Sequence, residues 1–175
     1  EQRCPFCGAW RPGMFGYGPA LQKLFGGLDL PHLVIVACAV LYAIAVLLDP
    51  AALLHPPGGL LGLLSPSTRA LYQLGMTGGV AWQQGWWWTV FTAIYLHGGL
   101  LHIFFNMMSV RNLGPAVMSM FGSARGFVIF TVAGVAGFVV SNIALGAPSI
   151  GASGSIFGLL AALIVYGRRR GASAM

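Results

Sequence analysis

The fold class expected from this sequence is all-α, a polytopic bundle of transmembrane helices, on three grounds. Only 7% of the 175 residues are charged and 57% are hydrophobic, whereas ordinary soluble domains carry roughly a quarter charged residues. The apolar residues come in long blocks and not as amphipathic stripes. Tryptophans gather between two blocks, at Trp82 and Trp86 to Trp88. Such clusters favour the headgroup layer, which satisfies both an apolar ring and a polar N–H. The formal charge of +6 comes from scattered basic residues that make no stripe. It reads as a topology signal and excludes nucleic acid as a partner.

Residues 1–27 read as a Gly-, Pro- and aromatic-rich appendage with Arg3, Arg11 and Lys23, ahead of a membrane domain over 28–175. The chain opens at Glu1 and not at Met, which reads as a fragment, and its start does not resemble a signal peptide. Cys4 and Cys7, in Cys-Pro-Phe-Cys-Gly, have the shape of one zinc knuckle. A tetrahedral zinc needs two further ligands, and no second pair follows. Half of a zinc ribbon holding a structural zinc, a redox pair and two idle thiols all remain open readings. Cys38, inside an apolar run, reads as a small buried hydrophobe.

The first apolar block is Leu33 to Leu48, bounded by Pro31 before and Asp49-Pro50 after. A long connector, 49–99, carries Pro56-Pro57-Gly58-Gly59, Ser65-Pro66 and the tryptophans. A connector of this length is expected to be functional or membrane-associated. The second block runs from about Leu100 to Met120 and the third from Gly126 to Leu145, with Ser141 and Asn142 its strongly polar late residues. After a break at Gly146-Ala147-Pro148 the last block runs from Ser153 to Tyr166, followed by Arg168-Arg169-Arg170.

Four spans put both termini on one side. That side collects Arg3, Arg11, Lys23, Arg125 and the terminal arginine run, while Arg69 falls on the other. By the positive-inside rule the termini are cytoplasmic and the connector faces out. The expected location is a bacterial inner membrane. The last block is short: fourteen residues cover about 21 Å at ~1.5 Å each, against a hydrocarbon core of about 30 Å. With its arginine end at the inner surface, Ser153 lies below the outer surface. Irregular backbone at that depth must line a cavity or be buried in protein. The loop before Ser153 is therefore expected to border a water-filled depression; the alternative is a helix that starts earlier and tilts.

The stretch Gly151-Ala152-Ser153-Gly154 puts a serine between small residues at the start of a helix, where it serves as a cap or as a nucleophile. Gly154 and Gly158 make a G-x-x-x-G pair that lets a neighbouring helix approach closely. In the second block His102 and Asn106 are four apart and share one helix face, which Ser109 extends; His97 precedes Gly98-Gly99 at the helix entry. Polar groups on one face of a span point into the bundle. They serve packing by interhelical hydrogen bonds, or they donate to developing negative charge beside Ser153.

These residues resemble the rhomboid family of intramembrane serine proteases. The resemblance covers about residues 86–166 and rests on His-x-x-x-x-His-x-x-x-Asn at His97, His102 and Asn106, followed by Gly-x-Ser-Gly at Gly151 to Gly154. Gly114 and Gly122 also fit the family's spacing of small residues. It implies a rhomboid-like bundle with four spans present of six. It implies Ser153 as nucleophile, with His102, Asn106 and the Ser153 N–H holding the oxyanion. His97, Gly151, Ala152, Gly154 and Phe157 shape the site, Phe157 standing where the family places an aromatic beneath the catalytic histidine. No cofactor is required for that chemistry. The implied partners are transmembrane protein substrates and the lipid bilayer.

The sequence departs from the family pattern at three points. Trp88-Thr89 stands where Trp-Arg is common, and Met118 where a glutamate is usual. The family's general base is a histidine on a later helix, whereas His32, His55, His97 and His102 all precede Ser153. The expectation is a serine endopeptidase whose base lies beyond Met175, so that these residues alone are inactive. The alternatives are a non-catalytic rhomboid-like protein that binds client helices, and a small channel or transporter subunit. The lack of an intramembrane carboxylate or lysine counts against the last.

Overall fold

The computed structural model describes residues 29–50 and 64–172; the appendage with Cys4 and Cys7, and His55 in the connector, lie outside the described residues. The described residues form an all-helical bundle without strands, joined at one point by an isolated antiparallel bridge between Thr77 and Ser149.

Helix α1 spans Leu30–Leu48. Asp29 caps it by accepting the His32 N–H at 3.0 Å, and Pro31 occupies the first turn, where its missing N–H costs nothing. Pro31 thus lies inside the helix and does not bound it. Val34, Cys38 and Ala45 bury one side of α1, while Val36, Val40, Ile44 and Leu47 stay exposed on the other. An apolar outer face of this kind is what lipid solvates. Cys38 is a buried packing residue, as expected.

The described part of the connector is folded. Helices α2 (Thr68–Gln73), α3 (Gly79–Gln83) and α4 (Thr89–Thr92) and a 3₁₀ turn (Ala93–Tyr95) succeed one another, and Ala81, Ala93, Ile94 and Leu96 are fully buried. Tyr42 ties its start to α1 by donating to the Leu64 carbonyl at 2.6 Å, and Thr92 donates to the Gly75 carbonyl at 2.7 Å. Trp86, Trp87 and Trp88 remain on the surface.

Helix α5 spans Leu100–Phe121 and leaves the Thr89–Tyr95 segment at 90°. It turns at Gly122, with φ +83°, directly into α6, Ser123–Ala144. Arg125 therefore sits in the first turn of α6 and not in a loop, at the same end of the bundle. Helix α7 spans Ser153–Ala172. It begins where expected, which removes the early-start alternative, but it continues through the arginines and past Tyr166. Its 20 residues measure about 30 Å. The added length is the arginine run, so the apolar part keeps its expected reach.

Among the described residues α1 and α6 are each long and apolar enough to cross a membrane, and the bent Thr89–Tyr95 and Leu100–Phe121 pair makes a third span if counted as one. The core between the helices holds Val34, Ile103, Val110, Phe130, Phe138 and Leu159. Close approach is set by glycines. A Cβ on Gly114 would lie 2.6 Å from Pro31 Cγ, and one on Gly158 would lie 2.2 Å from Ala133 Cβ on α6. The Gly154–Gly158 seam thus packs α7 on α6.

Candidate active site

Ser153 is the first residue of α7, and its side chain is exposed. No hydrogen bond engages its hydroxyl among the described residues, so it does not act as a helix cap there. The backbone N–H groups at this helix start have no partners one turn back and point toward the space where negative charge would develop. A cavity of about 310 Å³ adjoins Ser153, lined by Gly137, Phe138, Ser141, Ser149, Gly154 and Phe157 among others. Phe157, one turn on from Ser153, is 69% exposed at its edge.

His102 lies in the first turn of α5, half-buried. Its ring rests on the loop before Ser153: a Cβ on Gly151 would come 2.6 Å from His102 Nε2. Gly151 has φ +118° as well, so both space and backbone demand glycine there. His102 Nδ1 accepts the Gly98 N–H at 3.4 Å. A neutral imidazole that accepts at Nδ1 carries its proton on Nε2, so His102 presents a donor toward the Gly151 side. His97 is fully buried, edge-on to His102 with ring centroids 5.0 Å apart, and its Nδ1 lies 3.3 Å from the Tyr95 carbonyl. It braces the His102 ring.

Asn106 is buried one turn further along α5, and its Nδ2 donates to the His102 carbonyl at 2.8 Å. An amide NH₂ has two protons, so one remains uncommitted. Its Oδ1 is buried without a partner, as is His97 Nε2. Among the described residues neither His102 nor Asn106 hydrogen-bonds to another helix. Ser109 does not join the site; its hydroxyl bonds back to the Phe105 carbonyl at 2.8 Å. Ala152 is fully buried ahead of the serine, and Gly154 packs on the α6 backbone near Gly134.

The structure thus brings His97, His102, Gly151 and Ser153 to one end of the bundle, around the entry of α5 and α7. No histidine hydrogen-bonds to the Ser153 hydroxyl among the described residues; His32 is an exposed partner of Asp29 at the start of α1. The departures at Thr89 and Met118 have packed roles. Thr89 is fully buried and hydrogen-bonded, and Met118 covers Gly126 at the α5–α6 turn. Thr77, buried beside Thr89 and Asn142, drew no attention in the sequence. Asn142 was the one available signal, because an amide in an apolar helix requires a partner.

A family model for the rhomboid domain matches residues 84–174, just over half of the chain. Among curated proteins the chain is similar to rhomboid protease GluP of Bacillus subtilis, 40% identical over 57% of this chain and 20% of that protein. It is similar to RHOMBOID-like protein 5 of Arabidopsis thaliana at 35% identity, over 58% of this chain and 34% of that protein. The putative rhomboid protease YdcA of Bacillus subtilis is 37% identical over 50% of this chain and 42% of its own length. The chain therefore spans less than half of each of these relatives.

Proposed function

The chain belongs to the rhomboid family, and from that membership we propose that the protein is an intramembrane serine endopeptidase acting on membrane-anchored helical substrates near the outer surface. Its apolar helices and its family make it an integral membrane protein. Four spans here, cytoplasmic termini and a bacterial inner membrane complete the proposal. The observation that carries it is the Ser153 hydroxyl, unbonded at the head of α7, with the protonated Nε2 edge of His102 against the loop that leads to it.

In this reading Ser153 Oγ attacks the scissile carbonyl carbon. Its proton passes to a histidine outside these residues, which then delivers it to the leaving amine. The oxyanion lies among the Ser153 N–H, His102 Nε2–H and the free amide proton of Asn106. Water entering by the cavity hydrolyses the acyl ester and frees Ser153. A helix hides its carbonyls in hydrogen bonds, so the substrate segment must unwind, and helix-weakening residues are preferred there. The second reading, a non-catalytic binder of client transmembrane helices, draws on the absence of a base at Ser153 among the described residues.

A membrane-anchored reporter co-expressed with the full gene product separates the two. Cleavage that Ser153→Ala abolishes is the expected result. Reporter binding without cleavage, unchanged by Ser153→Ala, would establish the second reading.

A further inference from the structure

We propose that Thr77, Asn142 and Thr89 are positioning residues for Ser153, acting through a buried hydrogen-bond chain that locks the connector onto the loop carrying the nucleophile. The functional half of this inference rests on the protease reading. Asn142 Nδ2, on α6, donates to Thr77 Oγ1 at 2.9 Å. Thr89 Oγ1 donates to Thr77 Oγ1 at 3.0 Å and has the Trp86 carbonyl as a second acceptor at 2.6 Å. A hydroxyl has one proton. The single proton of Thr89 serves Thr77 or the Trp86 carbonyl, and Thr77 Oγ1 accepts from Asn142 and Thr89 alike. Donors from α6 and α4 thus converge on the Thr77 oxygen.

Thr77 and Thr89 are 0% exposed and Asn142 4%. A polar chain at that depth is costly to break, because removing one hydroxyl leaves a buried N–H unpaired. The side chain of Thr77 is thereby fixed to α6 and α4 together. Its backbone holds the nucleophile loop: the Thr77 carbonyl accepts the Ser149 N–H at 2.9 Å. Two residues on, the Gly79 N–H donates to the Gly146 carbonyl at 2.9 Å. Between them Gly78, at φ +85°, lets the backbones touch, since a Cβ there would lie 2.1 Å from the Ala147 oxygen. Ser149 Oγ also sits 3.3 Å from Ser141 Oγ of α6. At the far end of the loop the Gly151 N–H donates to the Ala93 carbonyl at 2.8 Å, just past α4.

Each anchor of the loop therefore lies on or beside a segment that these bonds tie together, and Ser153 follows two residues after the last anchor. Nucleophile and oxyanion donors tolerate little displacement, since about 1 Å of misplacement costs up to ~100-fold in rate. Thr89 occupies the position where the family commonly has arginine, so this polar chain supplies local anchoring of a different kind.

The test uses the full gene product with Thr77→Val, which keeps shape and loses the hydroxyl, and Thr77→Ser, which keeps the hydroxyl. Two readouts are taken: hydrogen exchange over 146–151, and the rate at which a fluorophosphonate labels Ser153, with kcat and KM for the reporter alongside. Thr77→Val is expected to speed exchange at Ser149 and Gly151 about tenfold and to slow labelling about tenfold, with kcat falling and KM unchanged. Thr77→Ser is expected to stay within about twofold of wild type on each. Wild-type exchange and labelling in Thr77→Val would overturn the proposal, as would Thr77→Ser behaving like Thr77→Val. If the valine variant does not accumulate, Thr89→Ser and Thr77→Ser decide: a tenfold loss in either contradicts the hydroxyl chain, and retained rates support it. Should wild type fail to label while Thr77→Val still loosens the loop, the protease reading falls and the clamp stands.

Discussion

Gly151 concentrates the demands of the site in one residue. Its φ of +118° excludes most side chains, and a Cβ there would strike the ring of His102 at 2.6 Å from Nε2. Gly151→Ala must shift the ring or the loop, and either displaces a proposed oxyanion donor. The expected outcome is a loss of about 100-fold or more in Ser153 labelling, with helix content unchanged by circular dichroism. At the opposite pole, Asp29 shows a smaller effect. The His32 N–H that it accepts holds its carboxyl below the usual range. A carboxylate with a lowered folded pKa stabilises above its unfolded value of about 3.9 and loses that contribution as pH falls through the folded one. Asp29→Ala is expected to cost α1 about 1 kcal/mol at neutral pH. The check is faster hydrogen exchange in the first turn of α1, a difference from wild type that acidification abolishes.

At the scale of elements, the α6–α7 seam decides where Ser153 stands. Gly158 meets Ala133 so closely that an added Cβ would lie 2.2 Å from the Ala133 Cβ. Gly158→Ala is expected to destabilise by about 1–3 kcal/mol in detergent unfolding. Ala133→Gly in the same chain is expected to recover most of that, a coupling that two independent sites would not display. The four long helices were legible in the sequence, because apolar blocks and Gly or Pro breaks mark them, whereas the short helices of the connector were not. Three boundaries moved: α6 starts at Ser123 and not at Gly126, and two others moved for physical reasons. Pro31 fits a first helical turn, so α1 starts ahead of it; arginine is a good helix former, so α7 runs on through Arg168 to Arg170. His102 and Asn106 were legible from their spacing on one face. The pairing of Thr77 with Asn142, 65 residues apart, was not, since neither periodicity nor a motif links them.

At the scale of the whole bundle, α6 presents an apolar outer face: Val132, Val140 and Ile143 lie exposed, as does Leu145 just past its end. Such a surface has lipid as its solvent. Arg111 lies exposed near the middle of α5. The proposed orientation rests on charge alone. In a background without native cysteines, Gln84→Cys is expected to react with an impermeant maleimide on intact cells, and Ser123→Cys only after the cells are opened. The reverse pattern would invert the topology and place Ser153 at the inner surface.

The central claim is that Ser153 is a nucleophile served by donors from α5. Mass spectrometry of the full gene product after fluorophosphonate treatment in membranes tests it most directly. A phosphonyl adduct on Ser153, and none on Ser149 or Ser155, is the predicted result. A protein that binds or cleaves its membrane partners while Ser153 stays unmodified would contradict it.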